Sequence, residues 1–302
     1  GIVFYGVFLV SEGTVSMGGM VAAVLLSSRT LAPLAQIANL FGRANNAKTS
    51  YKRLASFMEE TQEDDVSEKN KGAIRREKLG SIEFKDTTYR YPEADLDTLR
   101  SINLSVNEGE KVAILGRNGS GKSTLMKLAS GLFKASDGLV MYDGVDIKQL
   151  HTDDLSRSIG IVLQDVQLFS GSIRENITMG RQDIDQGDLI NAGKLSGLDD
   201  FVSKIPGGYD LQLSDGGKGL SGGQRQSIAL ARAIVHKPTH FILDEPTSAM
   251  DMNAENIFIS QMGSIMQDST MLIVTHRMPL LNLVDRIIVM NEGQIVEDGP
   301  KE

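Results

Sequence analysis

The residues best suited to chemistry lie in three short stretches. Gly116-Arg117-Asn118-Gly119-Ser120-Gly121-Lys122-Ser123 has the spacing GxxxxGK[ST]. Its glycines permit a tight loop whose N–H groups turn inward on an anion. The helical run that follows, Ser123–Leu132, adds the positive end of its dipole. Lys122 then offers a point charge to phosphate oxygens, and Ser123 a hydroxyl to a divalent cation. The plain alternative is a glycine-rich turn, but the apolar run Val112–Leu115 before it supplies the strand–loop–helix context of a phosphate site. The second stretch, His240-Phe241-Ile242-Leu243-Asp244-Glu245, reads as a buried strand ending in two acids. Asp244 is placed to hold Mg²⁺ through water, and Glu245 to take a proton from an attacking water. The third, Leu220-Ser221-Gly222-Gly223-Gln224, opens the helical run Arg225–His236 and makes a second anion cradle. One nucleotide does not need two cradles from one chain, so two chains sharing each nucleotide is the economical arrangement.

From about residue 80 the sequence supplies a scaffold for these stretches. Short β-rich runs (IEFKDTTYRY, KVAILG, LVMYDG, IGIVLQ, THFILDE, TMLIVTH, DRIIVMN, GQIVEDG) alternate with helical patterns near 122–132, 186–204, 223–236 and 253–266. That alternation predicts an α/β domain with a largely buried sheet. The early strands and the last two, a hairpin around Asn291-Glu292-Gly293, are expected to be antiparallel. With 41% apolar and 23% charged residues in 302, wholesale disorder is excluded. The absence of Cys excludes disulfides, Cys-ligated zinc and thiol nucleophiles. The net charge, 31 − 39 = −8, argues against a nucleic-acid partner.

The first 58 residues differ in texture. Residues 1–10 and 15–42 are apolar blocks, and the second is long enough to span a bilayer with some tilt. A signal peptide is disfavoured, because no basic region precedes the blocks; a buried amphipathic helix is the other alternative. Arg43, Lys48, Lys52 and Arg53 follow the second block, which places everything after residue 43 on the cytoplasmic side. Residues 43–58 are expected to continue the helix. Residues 59–79 read as a charged, solvated linker, with 12 charges among 59–78.

Taken together, these motifs resemble the C-terminal part of an ATP-binding-cassette (ABC) exporter, over essentially the whole chain. The resemblance implies a P-loop NTPase nucleotide-binding domain over 80–302, with an antiparallel β subdomain and a helical subdomain. It also implies the end of one transmembrane helix plus the last one over 1–58. Gln164 matches the Q-loop glutamine, Ser248-Ala249-Met250-Asp251 the D-loop, His276 the switch histidine, and Tyr91 the aromatic that stacks on adenine, with Tyr89 its nearest rival. ATP is then expected on Tyr91, Gly116, Asn118, Gly119, Ser120, Gly121, Lys122, Ser123 and Thr124. Mg²⁺ is expected on Ser123, Gln164 and Asp244. Glu245, His276, Lys122 and Gln164 are the catalytic set. Ser221, Gly222, Gly223, Gln224 and Asp251 are expected to act across a head-to-tail homodimer. His151, His236 and His240 are left as structural.

Ser214-Asp215 stands where exporters commonly have Gly-Glu, Met250 replaces a leucine, and His240 interrupts the apolar run. The stretch Gln167–Ile177 is typical of exporters, and the wording DGGKGLSGGQRQ is similar to bacterial type I secretion ATPases. Those export proteins across both membranes with a periplasmic adaptor and an outer-membrane channel. The resemblance therefore implies an inner-membrane ATPase, and the chain is expected to be a fragment of it. A lipid, peptide or drug exporter is the alternative. A soluble ATPase of the chromosome-maintenance type would need long heptad arms, and residues 124–219 show none.

Overall fold

The computed structural model describes residues 2–63, 70, 72–92 and 94–301. The chain divides into two compact units, Gly1–Glu68 and Lys69–Glu302.

The first unit is a helical hairpin of α1 (Ile2–Ser11) and α2 (Met17–Glu63), joined by a turn at Gly13 (φ 72°). As expected, one helix continues through 43–58, and it runs unbroken past Pro33. The hydroxyls of Ser27, Ser28 and Thr30 donate to the carbonyls of Ala23, Leu25 and Leu26, so the helix absorbs its own polar side chains. Among the described residues no helix is long and apolar enough to cross a membrane.

The second unit contains β1 (Ile82–Tyr89), β2 (Leu99–Val106), β3 (Lys111–Gly116), α3 (Lys122–Ala129), β4 (Asp137–Tyr142), β5 (Val145–Asp146), α4 (Thr152–Ser158) and β6 (Ile159–Val162). There follow β7 (Gly171–Ser172), α5 (Ile173–Thr178), α6 (Gln186–Leu195), α7 (Asp199–Val202), β8 (Gln212–Leu213) and α8 (Gly222–Ile234). The last elements are β9 (His240–Asp244), α9 (Met252–Ile265), β10 (Thr270–Val274), β11 (Arg286–Asn291) and β12 (Gln294–Pro300). The helical pattern read over 186–204 is two helices, because Gly197 turns left-handed (φ 70°) between them.

Two larger sheets result, ordered β2-β1-β4-β5 and β12-β11-β3-β10-β9-β6. The first is antiparallel, as expected. In the second, β11, β3, β10, β9 and β6 run parallel and only β12 is antiparallel. Alternation along the central strands separates two cores. Ala113, Phe241, Leu243, Met271 and Ile273 face one, with α8 and α9. Val112, Ile114, Ile242, Leu272 and Val274 face the other, with α3 and the antiparallel sheet. Strands buried on both faces read as unbroken apolar runs, which is why no period-2 pattern marks them. In register, Val274 pairs with both Asp244 and Ile114, and Val162 with Leu243. The carboxyl ends of β3, β6, β9 and β10 therefore reach one edge, where open α/β sheets bind ligands.

The charged stretch is not solvated throughout. Asn70 Oδ1 accepts from the N–H and hydroxyl of Thr152, Ile74 exchanges backbone bonds with Gln149 and His151, and Arg76 N–H donates to buried Asp154. Arg75 adds an ion pair to Asp154 at 2.9 Å. Residues 64–69 lie outside the described residues.

Candidate nucleotide site

At the shared edge lies a cavity of about 550 Å³, lined by Thr98, Asn118, Gly119, Gly121, Lys122, Ser123, Thr124, Gln164, Asp244, Glu245, Val274 and His276. Its size suits a small ligand. The phosphate loop joins β3 to α3 with Gly116, Gly119 and Gly121 at φ 148°, 82° and 99°. A Cβ at Gly116 would meet the Met290 carbonyl at 2.3 Å, whereas one at Gly119 would point into open space, where the backbone can approach a ligand. The β11–β12 turn braces the loop from behind: Gly293 N–H donates to the Ser120 carbonyl, and the Gly293 carbonyl accepts from Arg100.

Lys122 Nζ turns back into the loop, donating to the carbonyls of Gly116 (2.8 Å) and Arg117 (3.0 Å). Burial lowers its pKa, against the opposing pull of Asp244 and Glu245. Asp244 is 2% exposed, and burial raises its pKa, while a hydrogen bond from the Ser123 side chain acts the other way. A buried carboxylate beside a hydroxyl is a hard-oxygen donor pair that a divalent cation would stabilise. Among the described residues no group of three or more His, Cys, Asp or Glu is arranged to hold a metal ion by itself. A Mg²⁺ ion would need only one or two carboxylates there, with water and phosphate oxygens in the remaining positions. Ser120 Oγ is buried in the loop without a hydrogen-bond partner.

Glu245 follows β9 in the left-handed region (φ 50°), a conformation costing about 1–3 kcal/mol in a non-glycine residue. Its N–H donates to the Val274 carbonyl at 2.9 Å. Its Oε1 lies 3.4 Å from His276 Nε2. The acid and the histidine, 31 residues apart in sequence, thus meet because β9 and β10 are neighbours.

Several expected residues lie outside this cavity. Tyr91 is on the surface above it, its hydroxyl 3.1 Å from Thr124 Oγ1 and its ring edge-on to Tyr89 and Phe133. Tyr89 is 8% exposed and stacked on Phe133, so of the two tyrosines Tyr91 has the accessible ring. Ser221 is exposed and caps α8: its Oγ accepts from Gln224 N–H, and Gln224 Oε1 accepts from Ser221 N–H. Gly222 packs against Ala249, and Gly223 lies near the Ala249 carbonyl. Asp251 directly precedes α9, and its carbonyl accepts from Glu255. His151 caps α4, and His240 is buried.

The pattern of the family described as "ABC transporter" matches residues 99–248, which include the loop, Gln164, Ser221 and the two acids. Residues 99–248 are an ABC transporter domain. This domain carries ATP binding as a property of that family. The chain is 38% identical over 294 residues to the leukotoxin export ATP-binding protein LtxB of Aggregatibacter actinomycetemcomitans, covering 97% of this chain and 41% of the relative. It is equally identical over 295 residues to the leukotoxin translocation ATP-binding protein LktB of Mannheimia glucosida, with the same coverage. The chain thus spans about two fifths of the length of these curated relatives. A bacterial Atm1-family ABC exporter solved with ATP bound superposes with a TM-score of 0.68 at 32% identity, covering 74% of this chain and 39% of that one.

Some residues of the ABC domain were not singled out by sequence. Thr98 and Val274 line the cavity through strand geometry alone. Gln226 is 2% exposed and bonded to the Glu245 turn. A signal for it existed: Gln226 falls at helical spacing with Leu230 and Ala233 on an apolar face. Arg277 joins Glu255 at 3.1 Å and reaches the Ser248 carbonyl at 3.4 Å, with no sequence signal.

Proposed function

We propose that this chain hydrolyses ATP to drive export, as a dimer of two copies at the bacterial inner membrane with the ABC domain in the cytoplasm. The observation that carries this reading is the single cavity that gathers Lys122, Asp244, Glu245 and His276. Lys122 and the loop N–H groups hold the phosphates, and Tyr91 offers adenine a flat ring. Ser123, Asp244 and Gln164 are the residues that would hold Mg²⁺, which supplies positive charge against the charge developing on phosphate oxygens. Glu245 accepts a proton from water, whose oxygen bonds to the γ-phosphorus as the bond to ADP breaks. His276 keeps the Glu245 carboxylate aimed.

Ser221 is exposed and lines no part of its own chain's cavity. This supports its use, with Gly222, Gly223, Gln224 and Asp251, on the nucleotide of a second copy. The helical hairpin exposes Phe4, Tyr5, Leu25, Leu26, Leu40 and Phe41, which supports an apolar setting such as a bilayer shared with further helices. The relatives' names, leukotoxin export and leukotoxin translocation, support a protein toxin as cargo; type I secretion, with a periplasmic adaptor and an outer-membrane channel as partners, rests on the resemblance of the motifs. The test is Glu245→Gln. Nucleotide affinity should hold while turnover falls roughly 10²- to 10⁴-fold. Normal turnover in that variant refutes the reading, and a nucleotide-loaded Glu245→Gln protein that stays monomeric refutes the shared site.

A further inference from the structure

Gln226 lies on the second turn of α8, five residues past Ser221. Five residues advance a helix by about 7.5 Å and carry the side chain roughly 140° past a full turn. Ser221 therefore sits at the exposed start of α8, while Gln226 is buried inside. Both ends of its amide are used. Nε2 donates to the Glu245 carbonyl at 3.1 Å, and Oε1 accepts from the Ala249 N–H at 3.1 Å. One side chain thus closes the Glu245–Ala249 turn across its two ends.

The turn needs such a closure. Glu245 stands at φ 50°, and a conformation of this kind persists only where the surroundings over-determine it. Its N–H is held by the Val274 carbonyl, and its carbonyl accepts from Ser248 N–H and from Gln226. Among the described residues, only the Gln226 bond comes from outside the turn and the sheet. Without the amide, nothing from α8 holds the Glu245 carbonyl, and the peptide that directs the carboxylate toward His276 loses its side-chain anchor.

We infer that Gln226 is a positioning residue for Glu245, fixing the backbone that aims its carboxylate into the cavity and tying that backbone to the helix that Ser221 begins. This rests on the reading of Glu245 as the proton acceptor. The test compares Gln226→Ala, Gln226→Glu and Glu245→Gln in the full chain, by ATPase kinetics and nucleotide affinity. Gln226→Ala should lower kcat roughly 10- to 100-fold and leave KM for ATP within about two-fold. Gln226→Glu keeps the acceptor for Ala249 but can donate to the Glu245 carbonyl only when protonated. Its kcat relative to wild type should therefore rise as the pH falls from about 8 to 6. A wild-type kcat in Gln226→Ala overturns the inference. If Gln226→Ala does not fold, Gln226→Glu decides: a pH profile of wild-type shape overturns it, and an acid-favoured arm supports it. A Glu245→Gln protein with normal turnover overturns the underlying reading as well, whereas an inactive Glu245→Gln beside a normal Gln226→Ala overturns the inference alone.

Discussion

His276 Nε2 and Glu245 Oε1 face each other at 3.4 Å from the ends of two neighbouring parallel strands. The histidine side chain is about half exposed and the glutamate a quarter. The pair is thus open to the cavity. His276→Ala should lower ATP turnover roughly 100-fold through misaimed Glu245 while nucleotide affinity changes little. Steady-state kinetics with a binding titration separate the two effects. A proportional loss of affinity would place His276 in binding instead.

Arg277, the next residue, makes an ion pair with Glu255, whose other oxygen accepts from Thr247 at 2.7 Å. Glu255 is 5% exposed, so removal of its cation leaves a buried charge. Because Arg277 is itself partly in solvent, Arg277→Met should cost only about 1–3 kcal/mol. Denaturation midpoints in urea measure it. Turnover should fall too, since Arg277 also reaches the carbonyls of Ser248 and Met250.

Ser221→Ala should destabilise the ABC domain by about 1 kcal/mol even without nucleotide, because it removes the cap of α8. Ser221→Thr should recover most of that. Equal stability of Ser221→Ala and wild type in chemical denaturation would refute the capping role.

His240 is fully buried, between the Gly80 carbonyl and the Thr239 hydroxyl, with the Tyr142 ring edge-on. Burial pushes its pKa down, and the Gly80 carbonyl and Asp143 offset this in part. The unfolded chain takes up this proton near pH 6.5 and the folded domain only below that. Stability is therefore full above about pH 6.5 and declines as pH falls through the folded value. The urea midpoint should drop between about pH 7.5 and 5.5, and drop less in His240→Gln. Equal drops would exonerate His240.

Asp154→Ala should free the segment around Arg75 and Arg76, which its carboxylate holds. Faster tryptic cleavage at those arginines is the expected readout, with turnover in the ABC domain retained.

Chemistry was legible where local spacing encodes it. The loop and the two acids each sit within a few residues, so one short stretch reveals them; the Ser221–Gln224 stretch reads as an anion cradle, and the capping box it forms shows only in the structure. The antiparallel β11–β12 hairpin was legible from Asn291-Glu292-Gly293 for the same reason. Contacts made by strand order were not. Arg277 meets Glu255 only because β10 and α9 pack together, and Thr98 enters the cavity only because β2 lies near the loop. The docking of Asn70 on Thr152 was hidden by composition, since a charge-rich stretch reads as solvated whether or not a few of its groups find partners. Tyr91 was singled out over Tyr89 by resemblance, and burial separates the two for a physical reason.

The phosphate loop is written early, at residues 116–123, yet Met290 and Gly293 brace it from near the other end of the domain. A nascent chain emerging from the ribosome therefore carries the whole recognition sequence long before it can grip a triphosphate. The bracing of the cradle is complete only once residues 286–300 have been made and the β11–β12 hairpin can pack behind the loop.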